Sequence, residues 1–237
     1  MIWRILKIVA CIGGLSMLLS SSAVSVSISD QETSMTKPPI QLSAAQLQEK
    51  AAAITVKILS TDVLGSGILL NKQNSVYTVL INAHVLRADD PAYHIQTPDG
   101  EIYKANVLKN MNFQNYDLAI LQFYSIKKSY SVANLGTVPK VGDQVFIAGF
   151  PVGEESEKIN FVFIGGKVSL VLSKALEAGY QVGYTNRLEK GMSGGALLNK
   201  QGEVVGVNGM QAYPLWDAPS LFIDGSEAEE KLHQEIV

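Results

Sequence analysis

The pentapeptide Gly191-Met192-Ser193-Gly194-Gly195 carries the strongest chemical signal in the chain. Glycine tolerates backbone angles that a Cβ would forbid, so a serine between glycines can sit on a tight, exposed turn. The same freedom allows the amides of Gly191 and Ser193 to point at one spot beside the hydroxyl, which is the geometry of an oxyanion hole next to a nucleophile. Glycine and serine also dominate ordinary turns, and the pentapeptide alone does not separate these two interpretations.

The residues after the pentapeptide exclude one class of serine hydrolase. The pattern Gly-x-Ser-x-Gly also describes the nucleophile elbow of α/β-hydrolases, in which a helix follows the serine and the chain order is Ser, acid, His. Here the segment 196–207 predicts a β-hairpin around Gln201-Gly202, and the only histidine after Ser193 is His233. The α/β-hydrolase interpretation therefore fails on the following element and on the chain order.

The opposite chain order, His then Asp then Ser, is present. His84 lies at the end of an apolar strand, and Asp117 opens the apolar run Asp117-Leu118-Ala119-Ile120-Leu121. Either residue alone is more commonly structural than catalytic. The three residues in this order, in a β-rich chain, indicate a serine nucleophile with a histidine base.

Short strands separated by turns fill the chain from Ile54 to Val207. Apolar, β-branched segments alternate with turn signals, and Asp99-Gly100 is a strong hairpin signal. Between Asn134 and Gly142 the composition changes to Gly, Pro and Lys, which indicates a seam between two halves. Many short strands with even spacing predict an all-β barrel or sandwich.

The two ends of the chain differ from this β-rich middle. Residues 1–23 have the positive, apolar and small-residue regions of a signal peptide, and the apolar core is shorter than the roughly 20 residues of a membrane-spanning helix. An uncleaved membrane anchor is the alternative. Residues 24–41 are predicted to be a disordered linker, and Ser43 with Gln46 forms a capping box that predicts a short helix. A C-terminal helix is predicted over about 227–236.

Three of these segments resemble the sequence signatures of the trypsin-like (chymotrypsin-fold) serine peptidases. Ala83-His84 is similar to that family's Ala-Ala-His, Asp117 to Leu121 to its Asp-(Ile/Leu)-Ala-Leu-Leu, and Gly191 to Gly195 to its Gly-Asp-Ser-Gly-Gly. Gly65-Ser66-Gly67 adds to the match. The chain looks closest to the disulfide-free bacterial branches, the Deg/high-temperature-requirement protease domains and the glutamyl endopeptidases.

The resemblance implies a fold and a set of roles. The fold is two six-stranded antiparallel Greek-key barrels, about 50–133 and 140–212, in a protease domain of residues 42–237. His84 would be the base, Asp117 would orient and stabilise its imidazolium, and Ser193 would be the nucleophile. The amides of Gly191 and Ser193 would form the oxyanion hole.

Three positions depart from the family pattern and bear on regulation and specificity. Met192 stands where activated members carry an Asp that pairs with a new N-terminus, so activation by that ion pair is not expected. Arg187 occupies the place of the acidic selector of trypsin, so cleavage after Lys or Arg is not expected. Asn208 replaces the histidine with which glutamyl endopeptidases read a carboxylate. With Val207 nearby, the predicted pocket of Arg187, Val207 and Asn208 favours small or medium aliphatic residues. The alternative is a preference for acidic residues, which would follow if the guanidinium of Arg187 points into the pocket.

The predicted function is that of an exported serine endopeptidase, periplasmic or secreted, that acts on proteins or peptides without a cofactor or metal. The formal net charge of −3 gives no reason to expect a nucleic-acid partner. The only cysteine, Cys11, lies in the predicted signal peptide, so no disulfide is expected after its removal, and no stable membrane anchor remains.

A catalytically silent homologue that binds peptides or acts as a chaperone is the alternative function, and an unrelated β-domain is a third class. The oligomeric state stays open.

Overall fold

The computed structural model describes residues 42–60, 63–86, 92–109, 111, 113–152, 160–210 and 221–228. The predicted signal peptide and linker lie outside the described residues, as does most of the predicted C-terminal helix. At the start of that helix, Glu227 instead forms an isolated antiparallel bridge with Leu221.

In the described part of the chain, one helix with an N-terminal capping box precedes the strands. Helix α1 (Ala44–Ile54) begins at the predicted capping box, in which the Ser43 hydroxyl accepts a hydrogen bond from the amide of Gln46 and the Gln46 side chain accepts one from the Ser43 amide. These bonds satisfy two amides that the first helical turn leaves unpaired. None of the described helical segments has the length and apolar character needed to cross a lipid bilayer.

The first sheet contains the strands that carry His84 and Asp117. In chain order its strands are β1 (Thr55–Leu59), β2 (Val63–Gln73), β3 (Val76–Ile81), β4 (His94–Gln96), β5 (Ile102–Lys104), β6 (Asn106–Val107) and β7 (Ala119–Tyr124). They pair antiparallel in the order β5-β4-β1-β2-β3-β7-β6. The two outer strands, β5 and β6, are separated in sequence by Ala105 alone, so one bent strand joins both edges and closes the sheet into a barrel.

The second sheet carries the serine pentapeptide. Its strands are β8 (Gln144–Gly149), β9 (Val162–Val171), β10 (Val182–Tyr184), β11 (Ala196–Leu198) and β12 (Val204–Val207), in the order β10-β9-β8-β11-β12. The pentapeptide therefore lies directly before β11, and a hairpin to β12 follows it, as the sequence predicts.

Apolar side chains form three separate cores. One fills the interior of the first sheet, and one fills the interior of the second. The third lies between the two sheets and includes helix α1: Leu47, Ala51, Ile54, Ile68, Leu70, Leu80, Ile120, Phe146, Ala148, Ala196, Leu198 and Val204. Because burying apolar surface drives association, this shared core fixes the position of one barrel against the other.

The all-β, two-barrel prediction is confirmed, and the strand count differs from six and six. The structure divides the strands seven and five. In the first barrel the extra strand arises because the last part of the Asp99-Gly100 hairpin bends at Ala105 and is divided into β5 and β6. In the second barrel, the described residues contain five strands.

Candidate active site

His84 is placed by a short 3-10 turn, Ala83–Leu86, that immediately follows β3. The turn is held against the segment before β7, because the side-chain amide of Asn82 donates to the backbone carbonyl of Asp117 over 2.9 Å. Strands β3 and β7 pair in register up to Ile81 and Ala119, so their ends leave the barrel side by side. The sheet thus brings together two residues that are 33 positions apart in sequence.

Two hydrogen bonds join Asp117 to His84. The Nδ1 atom of the imidazole lies 2.5 Å from Oδ2 of the carboxylate, and the backbone N–H of His84 donates to Oδ1 over 2.8 Å. The Asp117 side chain is 6% exposed and the His84 side chain 31% exposed. The carboxylate is therefore buried behind an imidazole whose other edge reaches solvent.

The electrostatic environment keeps Asp117 ionised. Burial raises the pKa of its carboxyl, but hydrogen bonds from the side chain of His84, from the hydroxyl of Tyr180 and from the backbone of His84 outweigh this effect, and the pKa is lowered overall. A carboxylate in this state can only accept hydrogen bonds, which fixes a proton on Nδ1 of His84 and leaves Nε2 as the free acceptor.

The loop that carries Ser193 has the backbone conformation that the glycines were expected to allow. Gly191 and Gly194 adopt φ values of 90° and 84°. At Gly194 a Cβ would also collide with the carbonyl of Ser66. A side chain at this position would therefore displace the loop from β2, and only glycine fits.

Ser66, the central residue of Gly65-Ser66-Gly67, anchors this loop. Its amide donates to the carbonyl of Ser193 over 2.8 Å, and its hydroxyl donates to the carbonyl of Gly191 over 2.8 Å. The same hydroxyl accepts a hydrogen bond from the amide of Phe150. The sequence alone assigns no role to Ser66. The available signal is a serine beside the apolar run 68–70, because a polar side chain that becomes fully buried needs hydrogen-bond partners.

The amides of the pentapeptide divide into two groups. Those of Met192, Gly194 and Gly195 donate to the carbonyls of Glu189, Asn208 and Met192. Those of Gly191 and Ser193 donate to no acceptor in the part of the chain that the structure describes. These are the two amides predicted for the oxyanion hole.

The hydroxyl of Ser193 lies at the junction of the two barrels. Gly65 of the first barrel is so close to the loop that a Cβ there would meet the Ser193 carbonyl and a methyl group of Val85 at 3.0 Å each. Ser193 and the turn that carries His84 therefore flank the same residue. Within the described residues, the Ser193 hydroxyl donates over 3.1 Å to the carbonyl of Gly209, and no hydrogen bond joins it to His84.

Met192 anchors the loop that carries Ser193 by apolar packing. Its side chain is fully buried in the core of the second barrel with Val145, Ile147, Leu188, Leu197 and Val205. The residue that replaces the ion-pairing Asp of activated family members thus inserts into the barrel without needing a charged partner.

A cavity of about 480 Å³ borders the site at the boundary of the two barrels, and Asn82 and Asp117 of the first barrel are part of its lining. Arg187 and Val207 line it together with apolar side chains and Gly209, whose carbonyl accepts the Ser193 hydroxyl. Asn208 does not line it: this side chain is fully buried, donates to the carbonyls of Ala148 and Ala196, and accepts from Tyr184. The structure therefore places two of the three predicted pocket residues at the cavity and Asn208 in the framework.

The fold and the site define a two-barrel protein of the chymotrypsin type, and comparison with protein families agrees. Residues 65–207 match the trypsin-like peptidase domain. The match covers more than half of the chain, which therefore belongs to the trypsin-like peptidase domain family.

The chain is also similar to curated bacterial serine endoproteases and, in its fold, to a solved structure. The chain is 27% identical over 203 residues to the probable periplasmic serine endoprotease DegP-like of Buchnera aphidicola subsp. Baizongia pistaciae, covering 79% of this chain and 40% of the relative. It is 31% identical to the periplasmic pH-dependent serine endoprotease DegQ of Escherichia coli K12, covering 61% and 30%. The crystal structure of Deg5 superposes with a TM-score of 0.57 at 21% identity, covering 70% and 83%. The chain spans less than half the length of these two curated relatives.

Proposed function

We propose that the protein is an exported serine endopeptidase that hydrolyses peptide bonds through His84, Asp117 and Ser193. The observation that carries the proposal is the doubly hydrogen-bonded His84–Asp117 pair, which lies after β3 and before β7. Beside it is the loop that carries Ser193 and two amides with no acceptor among the described residues. Export is supported by the signal-peptide features of residues 1–23 and by the word periplasmic in the names of two relatives.

The geometry supports acyl transfer in two steps. The Ser193 oxygen attacks the substrate carbonyl while Nε2 of His84 takes the hydroxyl proton, and Asp117 stabilises the resulting imidazolium through Nδ1. The amides of Gly191 and Ser193 donate to the oxyanion of the tetrahedral intermediate, where one such donor is worth about 2.7–4 kcal/mol. The intermediate collapses as His84 returns the proton to the leaving amine. Water then attacks the acyl-enzyme by the same route and frees the carboxylic acid.

The nucleophile must change its hydrogen bond before the first step. In the substrate-free structure its hydroxyl donates to the carbonyl of Gly209, and proton transfer requires that it donate to Nε2 of His84 instead. A rotation about the Cα–Cβ bond of Ser193 moves the hydroxyl without moving the loop, whose backbone is tied to Ser66. Catalytic hydrogen bonds that form only in the presence of substrate are common in this type of site.

Labelling with an organophosphonate serine probe tests the proposal. We expect the wild-type protein to form a covalent adduct on Ser193 and the Ser193→Ala variant to form none, because only an activated serine attacks phosphorus at an appreciable rate. A folded wild-type protein that stays unlabelled and hydrolyses no peptide would overturn the proposal in favour of the silent, peptide-binding homologue.

The pH dependence of kcat/KM follows from the state of the acid–base pair. The lowered pKa of Asp117 keeps this carboxylate charged at and above pH 5. Histidine is the side-chain type that ordinarily gains or loses its proton between pH 5 and pH 8. Only the neutral imidazole accepts a proton, and kcat/KM should therefore rise across this range. A peptide-hydrolysis profile that is flat from pH 5 to pH 8 would contradict the assignment of His84 as the base.

The cavity predicts a broad preference for small or medium aliphatic residues before the scissile bond. Its lining includes the apolar side chains of Leu188, Val205 and Val207. Arg187 also lines the cavity, but this residue is exposed to solvent. An apolar pocket discriminates one methylene by about 1–3 kcal/mol, which gives a graded preference. Digestion of a peptide library should show this pattern in both the wild type and the Arg187→Ala variant. Dominant cleavage after Glu or Asp that Arg187→Ala abolishes would instead show that the guanidinium reads the substrate carboxylate.

A further inference from the structure

We propose that Tyr180, a residue of the second barrel, is a positioning residue that holds the Asp117 carboxylate and the backbone beside Ser193 in register across the barrel interface. The inference rests on the proposed function, since it concerns how that catalytic site is assembled. Three contacts, all formed by Tyr180 or by the turn that carries it, support it.

The first contact is a hydrogen bond to the carboxylate. The Tyr180 hydroxyl donates to Oδ2 of Asp117 over 2.7 Å, and this is the same oxygen that faces Nδ1 of His84. The tyrosine and the imidazole therefore share one acceptor atom. His84 and Asp117 belong to the first barrel, so Tyr180 supplies the link from the second barrel to the acid.

The second contact is made by the backbone of the turn that ends at Tyr180. The amide of Asp117 donates over 2.8 Å to the carbonyl of Ala178, and Tyr116 forms a parallel bridge with Ala178. Ala178 adopts a φ of 61°, which a non-glycine residue rarely does. The turn is closed by a 2.8 Å hydrogen bond from the Leu176 amide to the Tyr180 carbonyl. Both the backbone and the side chain of this turn thus meet Asp117.

The third contact lies on the nucleophile side. The Tyr180 ring packs so tightly against Gly209 that a Cβ on this glycine would collide with the ring. The carbonyl of Gly209 is the acceptor of the Ser193 hydroxyl. One tyrosine therefore contacts the acid through its hydroxyl and the resting partner of the nucleophile through its ring.

The shared acceptor gives Tyr180 a defined effect on proton transfer. Among the described residues, the titratable groups that bond to the Asp117 carboxylate are His84 from the turn after β3 and Tyr180 from the opposite barrel. The hydrogen bond from the tyrosine hydroxyl reduces the negative charge on Oδ2, and this oxygen then stabilises the imidazolium less strongly. Without this hydroxyl, Oδ2 of Asp117 carries more negative charge towards the imidazole and stabilises its protonated form more strongly.

The test compares Tyr180→Phe with the wild type and with Tyr130→Phe in the full chain. Tyr130→Phe removes a hydroxyl that contacts Asp99 and Tyr103, which have no role in the site. After active-site titration, Tyr180→Phe should lower kcat about tenfold with KM little changed, because the carboxylate that orients His84 is held less firmly and a 1 Å misplacement in an active site can cost about 100-fold. The midpoint of the rise in kcat/KM should move to higher pH, whereas Tyr130→Phe should match the wild type in both. A Tyr180→Phe variant with the wild-type kcat and midpoint would overturn the proposal.

A second measurement separates this proposal from the proposed function. In Ser193→Ala, where no turnover is required, the carboxyl carbon of Asp117 can be titrated by NMR with and without Tyr180→Phe. The hydrogen bond from Tyr180 contributes to the lowered pKa of Asp117, so this pKa should rise when the hydroxyl is removed. An unchanged titration would overturn this proposal even if the wild-type protein hydrolyses peptides. A shifted titration, together with a wild-type protein that hydrolyses no peptide, would uphold the contact while refuting the peptidase function.

Discussion

Replacing Ser193 with alanine should lower kcat for peptide hydrolysis by about 10⁶-fold, because the members of the proposed triad act as a unit. The folded loop should survive the change. Its backbone stays bonded through the Ser66 amide and through the hydrogen bond from the Gly194 amide to the carbonyl of Asn208, and alanine removes only the bond to Gly209. The measurement is hydrolysis of a fluorogenic peptide, with the melting temperature recorded in parallel.

The matched control for this prediction is Ser129→Ala. Ser129 is exposed and its hydroxyl accepts a hydrogen bond from Lys72, so its loss should leave both kcat and KM unchanged. Retention of a tenth or more of the wild-type rate in purified Ser193→Ala would rule out Ser193 as the nucleophile.

Replacing Asp117 with asparagine should lower kcat by about 10⁴-fold, the loss that the same change in this type of triad brings. Asparagine keeps the size of the side chain but not its charge. It cannot stabilise the imidazolium, and an amide nitrogen facing Nδ1 would favour the tautomer that carries its proton on Nε2. The base would then present a proton to Ser193 where an acceptor is required. Steady-state hydrolysis near pH 7.5 measures this effect.

Asp99→Asn is the corresponding control. The Asp99 carboxylate lies in the first barrel and pairs with Lys128 at 3.1 Å, with no contact to His84 or Ser193, so its loss should not affect kcat. A decrease in kcat of less than tenfold in Asp117→Asn would contradict the role given to Asp117. Asparagine has the same size as aspartate, so a small effect would show that the charge of the carboxylate is not needed.

The sequence predicted those parts of the site that depend on chain order and local conformation. The order of His84, Asp117 and Ser193 and the hairpin after Gly195 were sufficient to distinguish the two-barrel fold from an α/β-hydrolase. The glycines at 191 and 194 predicted positive φ values because no other residue adopts them without strain. Each of these signals lies within a few residues of the feature that it predicts.

Contacts between distant segments were not predictable in this way. Ser66 is 125 residues from Gly191, and Tyr180 is 63 residues from Asp117, so neither partner is visible in the local pattern. Asn208 is predicted to line the pocket because it stands in the place of the histidine of the glutamyl endopeptidases, but the direction of its side chain depends on the pairing of β11 with β8 and β12. There the side chain bonds to the carbonyls of Ala148 and Ala196 in place of solvent.

Met192 departs from the family pattern, and its structural role could be determined only from the fold. The sequence establishes that a methionine cannot form the ion pair made by the Asp of activated members. The structure adds that this side chain is fully buried in the second barrel, so burial of the methionine supplies the anchor. The flexible, unbranched side chain of Met suits an irregular space of this kind.

The central claim is that Ser193 forms an acyl-enzyme with the help of His84, and trapping that intermediate tests it most directly. Rapid mixing with an activated peptide ester, followed by acid quench and peptide mapping, should show a burst of one leaving group per active site and an acyl group on Ser193. The burst should be absent from His84→Ala and Ser193→Ala. An acyl group on any other residue, or hydrolysis without a burst that persists in Ser193→Ala, would contradict the account.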